Sequence, residues 1–299
     1  MTLTELRYIV ALHETGHFRK AAEQCSVSQP TLSTAVKKLE EELGVSLFER
    51  SRHKVTATPV GERIVAQART VLQETRNLSR LAELGKDPLA SMLSVGAIYT
   101  VGPYLFPRLV NRLQQMAPQM PLYIEESYTA SLRGKLTGGE LDAIFVALPF
   151  TEADVVTRAI YDEPFVVLLP EDHPLTRETQ IDPAALARHR VLLMGEGHCF
   201  RDQVLEACNG LHQSITDSHA RGQAVLEGSS LETLKHMVAS GLGITVLPET
   251  AASIAQYGED TLAVRPFTAP VPKRTIALAW RVSYPRHRAI DILIEALRG

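Results

Sequence analysis

The segment from Pro59 to Gly85 constrains this chain more than any other. Within an otherwise polar stretch, Ile64, Val71 and Leu78 recur every seven residues, and Ala68, Thr75 and Ala82 stand four beyond each. A seven-residue apolar repeat belongs to a helix that presents one stripe to a second helix. A surface helix lying on its own domain is the plainer reading, but the length of this one and its place between two differently patterned regions favour a partner helix. Lys86-Asp87-Pro88 then breaks the pattern as a hinge. The chain is thereby divided into a head (1–58), a linker or dimerisation helix with its hinge (59–88) and a body (89–299).

In the head, Leu3, Leu6, Ile9, Val10 and His13 mark an amphipathic helix closed by Gly16, and Phe18 to Gln24 a short second one containing Ala21-Ala22. After the turn at Cys25-Ser26-Val27, Ser28 is a good N-cap and Pro30 fits a first turn, so Ser28-Gln29-Pro30 opens a third helix. Leu32, Val36, Leu39 and Leu43 form its expected buried stripe. Thr31, Ser33, Thr34 and Lys37 form the opposite face, whose short hydrogen-bonding groups and single cation suit entry into a DNA major groove. Leu47 to Thr58 then reads as a β-wing, with Arg50, Arg52 and Lys54 placed to grip phosphates. Each feature alone is ordinary solvated surface. Their order along the chain is what makes them specific.

The body alternates short apolar runs with helical stretches, which predicts parallel βαβ architecture with strands at 92–97, 122–126, 142–147, 165–170, 244–248 and 275–280. At 299 residues and 45% apolar content the chain can bury more than one core. No apolar run reaches the ~18 to 20 residues of a membrane span, and the first residues lack the order of a signal peptide, so a cytoplasmic location is expected. The net charge of −3 confines any nucleic-acid footprint to a local patch.

The three cysteines are too few for a disulfide framework and lack zinc-ligand spacing. No metal or cofactor is expected. Cys25 reads as core filler in the head. Cys199 and Cys208 lie in a different setting: Gly195 and Gly197 precede a helix that carries Phe200, Val204 and Leu205, with Cys199 at its start. Nine residues of helix rise ~13 to 14 Å and turn roughly 900°, whereas a disulfide needs Cα atoms ~4.4 to 6.8 Å apart. If these two sulfurs bond, the helix between them must unwind. The helix N-terminus, with His198 and Arg201 as cationic neighbours, would stabilise a Cys199 thiolate. Such a thiolate attacks peroxide to give a sulfenic acid, with Cys208 the nearby resolving candidate. Inert burial of both thiols is the competing reading.

Ala21-Ala22, Ser28-Gln29-Pro30, Leu32-Ser33, Leu39-Glu40, Leu43-Gly44, Leu47-Phe48-Glu49-Arg50 and Thr58-Pro59-Val60-Gly61 resemble the winged helix-turn-helix of LysR-type transcriptional regulators. The stretches 96–107, 139–142, 195–203 and 230–234 resemble the peroxide-sensing members of that family, so the resemblance spans the chain. It implies an α+β multidomain protein: a winged helix-turn-helix, a long linker helix and an α/β regulatory domain like periplasmic binding proteins. Crossover strands near residues 160 and 266 would join subdomain I (89–161 and 267–299) to subdomain II (162–266). It also implies a peroxide pocket of Thr100, Thr129 and His198 around a peroxidatic Cys199, with Arg274 close by and Cys208 resolving. From the residues alone, helix capping outranks peroxide binding as the role of either threonine.

The resemblance further implies a regulator rather than an enzyme, acting as a homodimer or homotetramer on promoter DNA. Its partners would be hydrogen peroxide, RNA polymerase and a thiol reductant such as glutaredoxin or thioredoxin. The rival readings are a regulator answering to a small organic anion in the regulatory cleft, and a thiol peroxidase. The polar stretch 209–228 has no clear period, and His212 and His219 receive no role.

Overall fold

The computed structural model describes residues 1–50, 55–83, 89–208, 210–211, 226–258 and 261–298. The chain forms two units, Met1–Gly85 and Lys86–Gly299.

In the first unit, α1 (Leu3–Thr15) begins at a capping box between Thr2 and Glu5 and ends at Gly16, whose φ of 64° is the left-handed region that glycine enters without strain. Helix α2 (Phe18–Gln24) turns into α3 (Gln29–Leu43), where the Ser28 hydroxyl accepts the Thr31 N–H at 3.3 Å. Leu32, Val36 and Leu39 join Ile9, Leu12, Ala21 and Ala22 in one core. Leu43 does not. It occupies the last turn before Gly44 ends the helix, and its side chain emerges into solvent, correcting the expected stripe.

The wing is the antiparallel pair β1 (Phe48–Arg50) and β2 (Val55–Ala57). Helix α4 (Pro59–Glu83) buries Val65 and Ala68 against the head core and leaves Val71 and Leu78 exposed, Leu78 by 67%.

The second unit begins with the parallel strands β3 (Leu93–Ile98), β4 (Leu122–Ser127) and β5 (Ala143–Ala147), linked by α5 (Gly102–Met116) and α6 (Thr129–Thr137). The long strand β6 (Val155–Pro170) then carries the chain into a second half. There, β7 (Val191–Met194), α7 (Cys199–Ala207), β8 (Glu227–Gly228), α8 (Leu231–Ala239), β9 (Ile244–Pro248) and β10 (Leu262–Pro266) follow in turn. Strand β11 (Lys273–Arg281) and α9 (His287–Glu295) return to the first half.

The sheet order is β4-β3-β5-β11-β6-β9-β7-β8, with β10 also on β6. The parallel expectation therefore holds for the pairs β3–β4, β3–β5, β7–β8 and β7–β9. Where β6 and β11 carry the chain between halves without a helical crossover, the pairings β5–β11, β11–β6, β6–β9 and β6–β10 are antiparallel.

Two apolar cores result. One holds Leu93, Phe106, Leu132, Phe145 and Leu293; the other holds Phe165, Leu168, Leu192, Phe200, Val204 and Leu247. Strands β7 and β8 were not foreseen, since they are short and their partners lie far away in sequence.

Candidate functional site

Three strand-to-helix junctions of the second unit meet at one point. Ile98, Tyr99 and Thr100 lead from β3 into α5, Ser127, Tyr128 and Thr129 from β4 into α6, and Gly197, His198 and Cys199 open α7. These nine residues line a cavity of about 10 Å³, on the scale of the ~10 to 15 Å³ that one water-sized guest needs. Ligands of open α/β sheets bind beyond the carboxyl ends of the strands, and this cavity lies there. Gly197 has a φ of 89°, the left-handed region that glycine enters without strain, and a Cβ on it would touch the Tyr128 ring at 3.4 Å.

The helix starts at this cavity lack side-chain caps. The N-cap positions of α5, α6 and α7 are Val101, Tyr128 and His198, and none accepts a capping hydrogen bond. First-turn N–H groups are thus left beside the cavity, with the positive ends of three helix dipoles. Neither Thr100 nor Thr129 caps a helix, so the capping alternative fails. Thr129 Oγ1 is buried with no hydrogen-bond partner among the described residues.

Thr100 is buried, and its Oγ1 accepts from Arg274 Nη1 at 2.8 Å, leaving the hydroxyl proton for a guest. Arg274 stands behind Thr100 and does not line the cavity. Its Nη2 donates to the Thr100 carbonyl at 2.9 Å, and its Nε meets Glu163 Oε2 at 2.6 Å in a fully buried ion pair. The Thr250 hydroxyl donates to the other Glu163 oxygen, and the Arg274 guanidinium lies 5.1 Å from the Phe200 ring centre.

The cations expected beside Cys199 are not there. His198 packs 4.7 Å from Tyr128 and 5.8 Å from Tyr99 between ring centres, and its burial lowers its pKa, favouring the neutral imidazole. Arg201 turns away, donating to the Met194 carbonyl at 2.9 Å and pairing with Glu227 at 2.5 Å. Chemical support for Cys199 therefore rests on the helix starts and the threonine hydroxyls.

Cys199 and Cys208 are free thiols at opposite ends of α7. Cys199 is half-buried and packs against the core of the first half, whereas Cys208 is fully buried in the core of the second, with Phe200 and Val204 on the same stripe. Burial pushes the Cys208 thiol up to about 11. The helix rise of ~1.5 Å per residue keeps the two sulfurs far beyond disulfide reach while α7 is intact.

On the head, Ser28, Gln29, Pro30, Thr31, Thr34 and Lys37 are exposed on one face of α3 and Ser33 is half-buried. The Ser28 and Thr31 hydroxyls lie 2.7 Å apart, and Lys37 sits 3.6 Å from Glu41. Arg50 ends β1, while Arg52 and Lys54 lie outside the described residues, as do His212, His219 and most of 209–228. Cys25 packs against the head core, and burial raises its pKa.

Sequence reasoning missed Tyr99 and Tyr128, although a Tyr-Thr dipeptide ends both β3 and β4 and could have found them. Glu163 and Thr250 carried no such signal.

Residues 3–62 match the bacterial regulatory helix-turn-helix protein, lysR family, and residues 86–299 match the LysR substrate binding domain. The DNA-binding transcriptional dual regulator OxyR of Escherichia coli (strain K12) is 39% identical over 299 residues, covering 100% of this chain and 95% of that protein. Among solved structures, a full-length cysteine-to-aspartate variant of OxyR from Pseudomonas aeruginosa is 57% identical with a TM-score of 0.75, covering 100% of this chain and 95% of that one. A hydrogen-peroxide-bound cysteine-to-serine mutant of Corynebacterium glutamicum OxyR is 32% identical with a TM-score of 0.64, covering 99% and 91%.

Proposed function

The chain belongs to the LysR family of transcriptional regulators, and from that premise we propose that it is a DNA-binding regulator switched by hydrogen peroxide through Cys199 and Cys208. The observation that carries this reading is the cavity, which joins Cys199 to a buried, unpartnered Thr129 hydroxyl and to the free proton of Thr100. Hydrogen peroxide, with two O–H donors and two acceptor oxygens, answers those groups.

The Cys199 thiolate sulfur attacks one peroxide oxygen and the O–O bond breaks. The departing hydroxide takes up a proton and leaves as water, and Cys199 is now a sulfenic acid. Helix α7 then unwinds and brings Cys208 out of its core. Its sulfur displaces the sulfenic oxygen as a second water, forming the disulfide. A cytoplasmic dithiol reductant such as glutaredoxin or thioredoxin returns the two electrons and becomes a disulfide itself. Each peroxide drives one switching event, so regulation rather than peroxide turnover is the purpose.

Unwinding α7 withdraws Phe200, Val204 and Cys208 from the second core and removes Phe200 from beside Arg274. The exposed Val71 and Leu78 of α4 are the surface through which a partner copy joins. A remodelled segment 199–229 then rotates subunits of a homodimer or homotetramer and resets the spacing of the DNA heads. Half-sites one helical turn of ~34 to 36 Å apart make that spacing decisive for promoter engagement and recruitment of RNA polymerase. The α3 face 28–37 enters the major groove, with the wing cations on the backbone.

Peptide mass spectrometry of the reduced protein after stoichiometric peroxide, with thiols blocked after quenching, tests the reading. A rapid Cys199–Cys208 disulfide reversed by reductant is expected. Unreacted thiols would return the pair to core residues and leave an organic anion as effector.

A further inference from the structure

A second and larger cavity, of about 250 Å³, lies beside α5 and does not contain Cys199. Tyr104, Arg108 and Arg112 project from α5 at a spacing of four residues, so they lie along one stripe of the helix. Leu105 and Leu109 supply an apolar wall beside them, and Tyr161 of β6 and Thr250, just after β9, close the opposite side.

The polar groups of this cavity are unequally engaged. Arg112 donates through Nη1 to the Ala296 carbonyl at 3.0 Å, and the Tyr104 hydroxyl donates to Glu232 at 3.0 Å. Arg108 and the Tyr161 hydroxyl make no hydrogen bond or ion pair with another described residue. The nearby carboxylates are already neutralised, Glu163 by Arg274 and Glu232 by Lys235. The two arginines are therefore an uncompensated positive charge above an apolar floor. A cavity of ~150 Å³ accommodates benzene, so this one has room for a ring with a short charged arm.

Thr250 lines this cavity and donates to Glu163. Glu163 holds Arg274, and Arg274 holds both the hydroxyl and the carbonyl of Thr100 in the sensing cavity. One unbroken chain of hydrogen bonds joins the two cavities.

We propose that the α5 cavity is a second ligand site, for a small amphipathic monocarboxylate, coupled to the peroxide cavity through Thr250, Glu163, Arg274 and Thr100. The carboxylate pairs with Arg108 and accepts from Tyr161, and the apolar body lies on Leu105 and Leu109. A guest against Thr250 shifts the hydroxyl that positions Glu163, and so the arginine that orients Thr100 beside Cys199.

Titration calorimetry on the reduced full-length protein with 3-phenylpropanoate tests the site without any reference to cysteine chemistry. Saturable binding is expected, weakened about tenfold in Arg108→Ala and for the uncharged 3-phenylpropanol, the scale of one charge-assisted hydrogen bond. Arg108 is exposed, so that variant keeps its fold, which circular dichroism checks. Absence of saturable binding, or equal binding by the variant and by the alcohol, would overturn the site. The coupling is read as the rate at which peroxide consumes the Cys199 thiol: a change of at least twofold at saturating 3-phenylpropanoate is expected, and an unchanged rate alongside normal binding would overturn the coupling. A Cys199 that does not react with peroxide at all would instead fail the peroxide reading, leaving the calorimetric result intact.

Discussion

The two ends of α7 share a helix of nine residues yet occupy opposite physical worlds. At the Cys199 end, three uncapped helix starts, two threonine hydroxyls and a ring of Tyr99, Tyr128 and His198 surround a void of about 10 Å³. At the Cys208 end, the thiol is sealed among Phe200, Val204 and Leu211 and its ionisation is suppressed. In the proposed switch, the first sulfur reacts and the second waits. The difference teaches that reactivity here comes from what the helix start leaves unsatisfied, and control from what the helix end must give up.

The sharpest break of this asymmetry is Cys199→Ser, which is expected to abolish peroxide-driven disulfide formation outright, with Cys208 still reduced by peptide mass spectrometry. Rapid oxidation of Cys208 in that variant would show the two ends to be equivalent. Next in size is Glu163→Gln. It leaves the buried Arg274 without its counter-charge and is expected to destabilise the reduced protein by about 3 to 5 kcal/mol in urea unfolding. A loss below ~1 kcal/mol would mean that the support behind Thr100 is not electrostatic.

The Cys208 end has a pH signature. An unfolded cysteine titrates near ~8.5, while the folded thiol is held up to about 11. Between those values the unfolded chain has released a proton that the native chain keeps, so stability falls as pH rises. The contribution is complete below about pH 8.5 and is lost by about pH 11. Its size is on the order of 3 kcal/mol, measured as the difference in alkaline stability between the reduced protein and Cys208→Ala. Parallel curves for the two proteins would place Cys208 in a wetter setting than the core described.

The smallest effect is expected of Thr129→Val. Because Thr129 Oγ1 is buried without a partner among the described residues, replacing it with a methyl leaves stability unchanged or slightly raised. If Thr129 holds peroxide as proposed, the same change is expected to slow Cys199 oxidation about tenfold, or ~1.4 kcal/mol of barrier. Stopped-flow kinetics with chemical denaturation separates the two. A variant equally impaired in both would make Thr129 a structural residue only.

Much of the architecture was legible locally. Ser28 before Pro30, Gly16 and Gly44 at helix ends, and the seven-residue repeat of α4 each depend on residues within a turn or two. The start of α7 at Cys199 followed from Gly195, Gly197 and the apolar spacing beyond. The Tyr-Thr pairs after β3 and β4 were visible, but nothing local said that Tyr99, Tyr128 and His198 would pack together.

By itself, then, the sequence determined the helical head, the repeat of α4, the placement of the two thiols at opposite ends and on opposite faces of one helix, and the threonines at strand ends. Helical and strand periodicities and caps are short-range, and a single chain displays them. Only the tertiary structure decided that the sulfurs belong to different cores, that His198 is desolvated, that Arg201 serves Glu227 instead of Cys199, and that Thr250, Glu163, Arg274 and Thr100 form one chain. Arg274 and Thr100 stand 174 residues apart, and their meeting depends on β6 and β11 pairing between the two halves. No local pattern encodes such a pairing, because the energy that selects it comes from burying both cores at once.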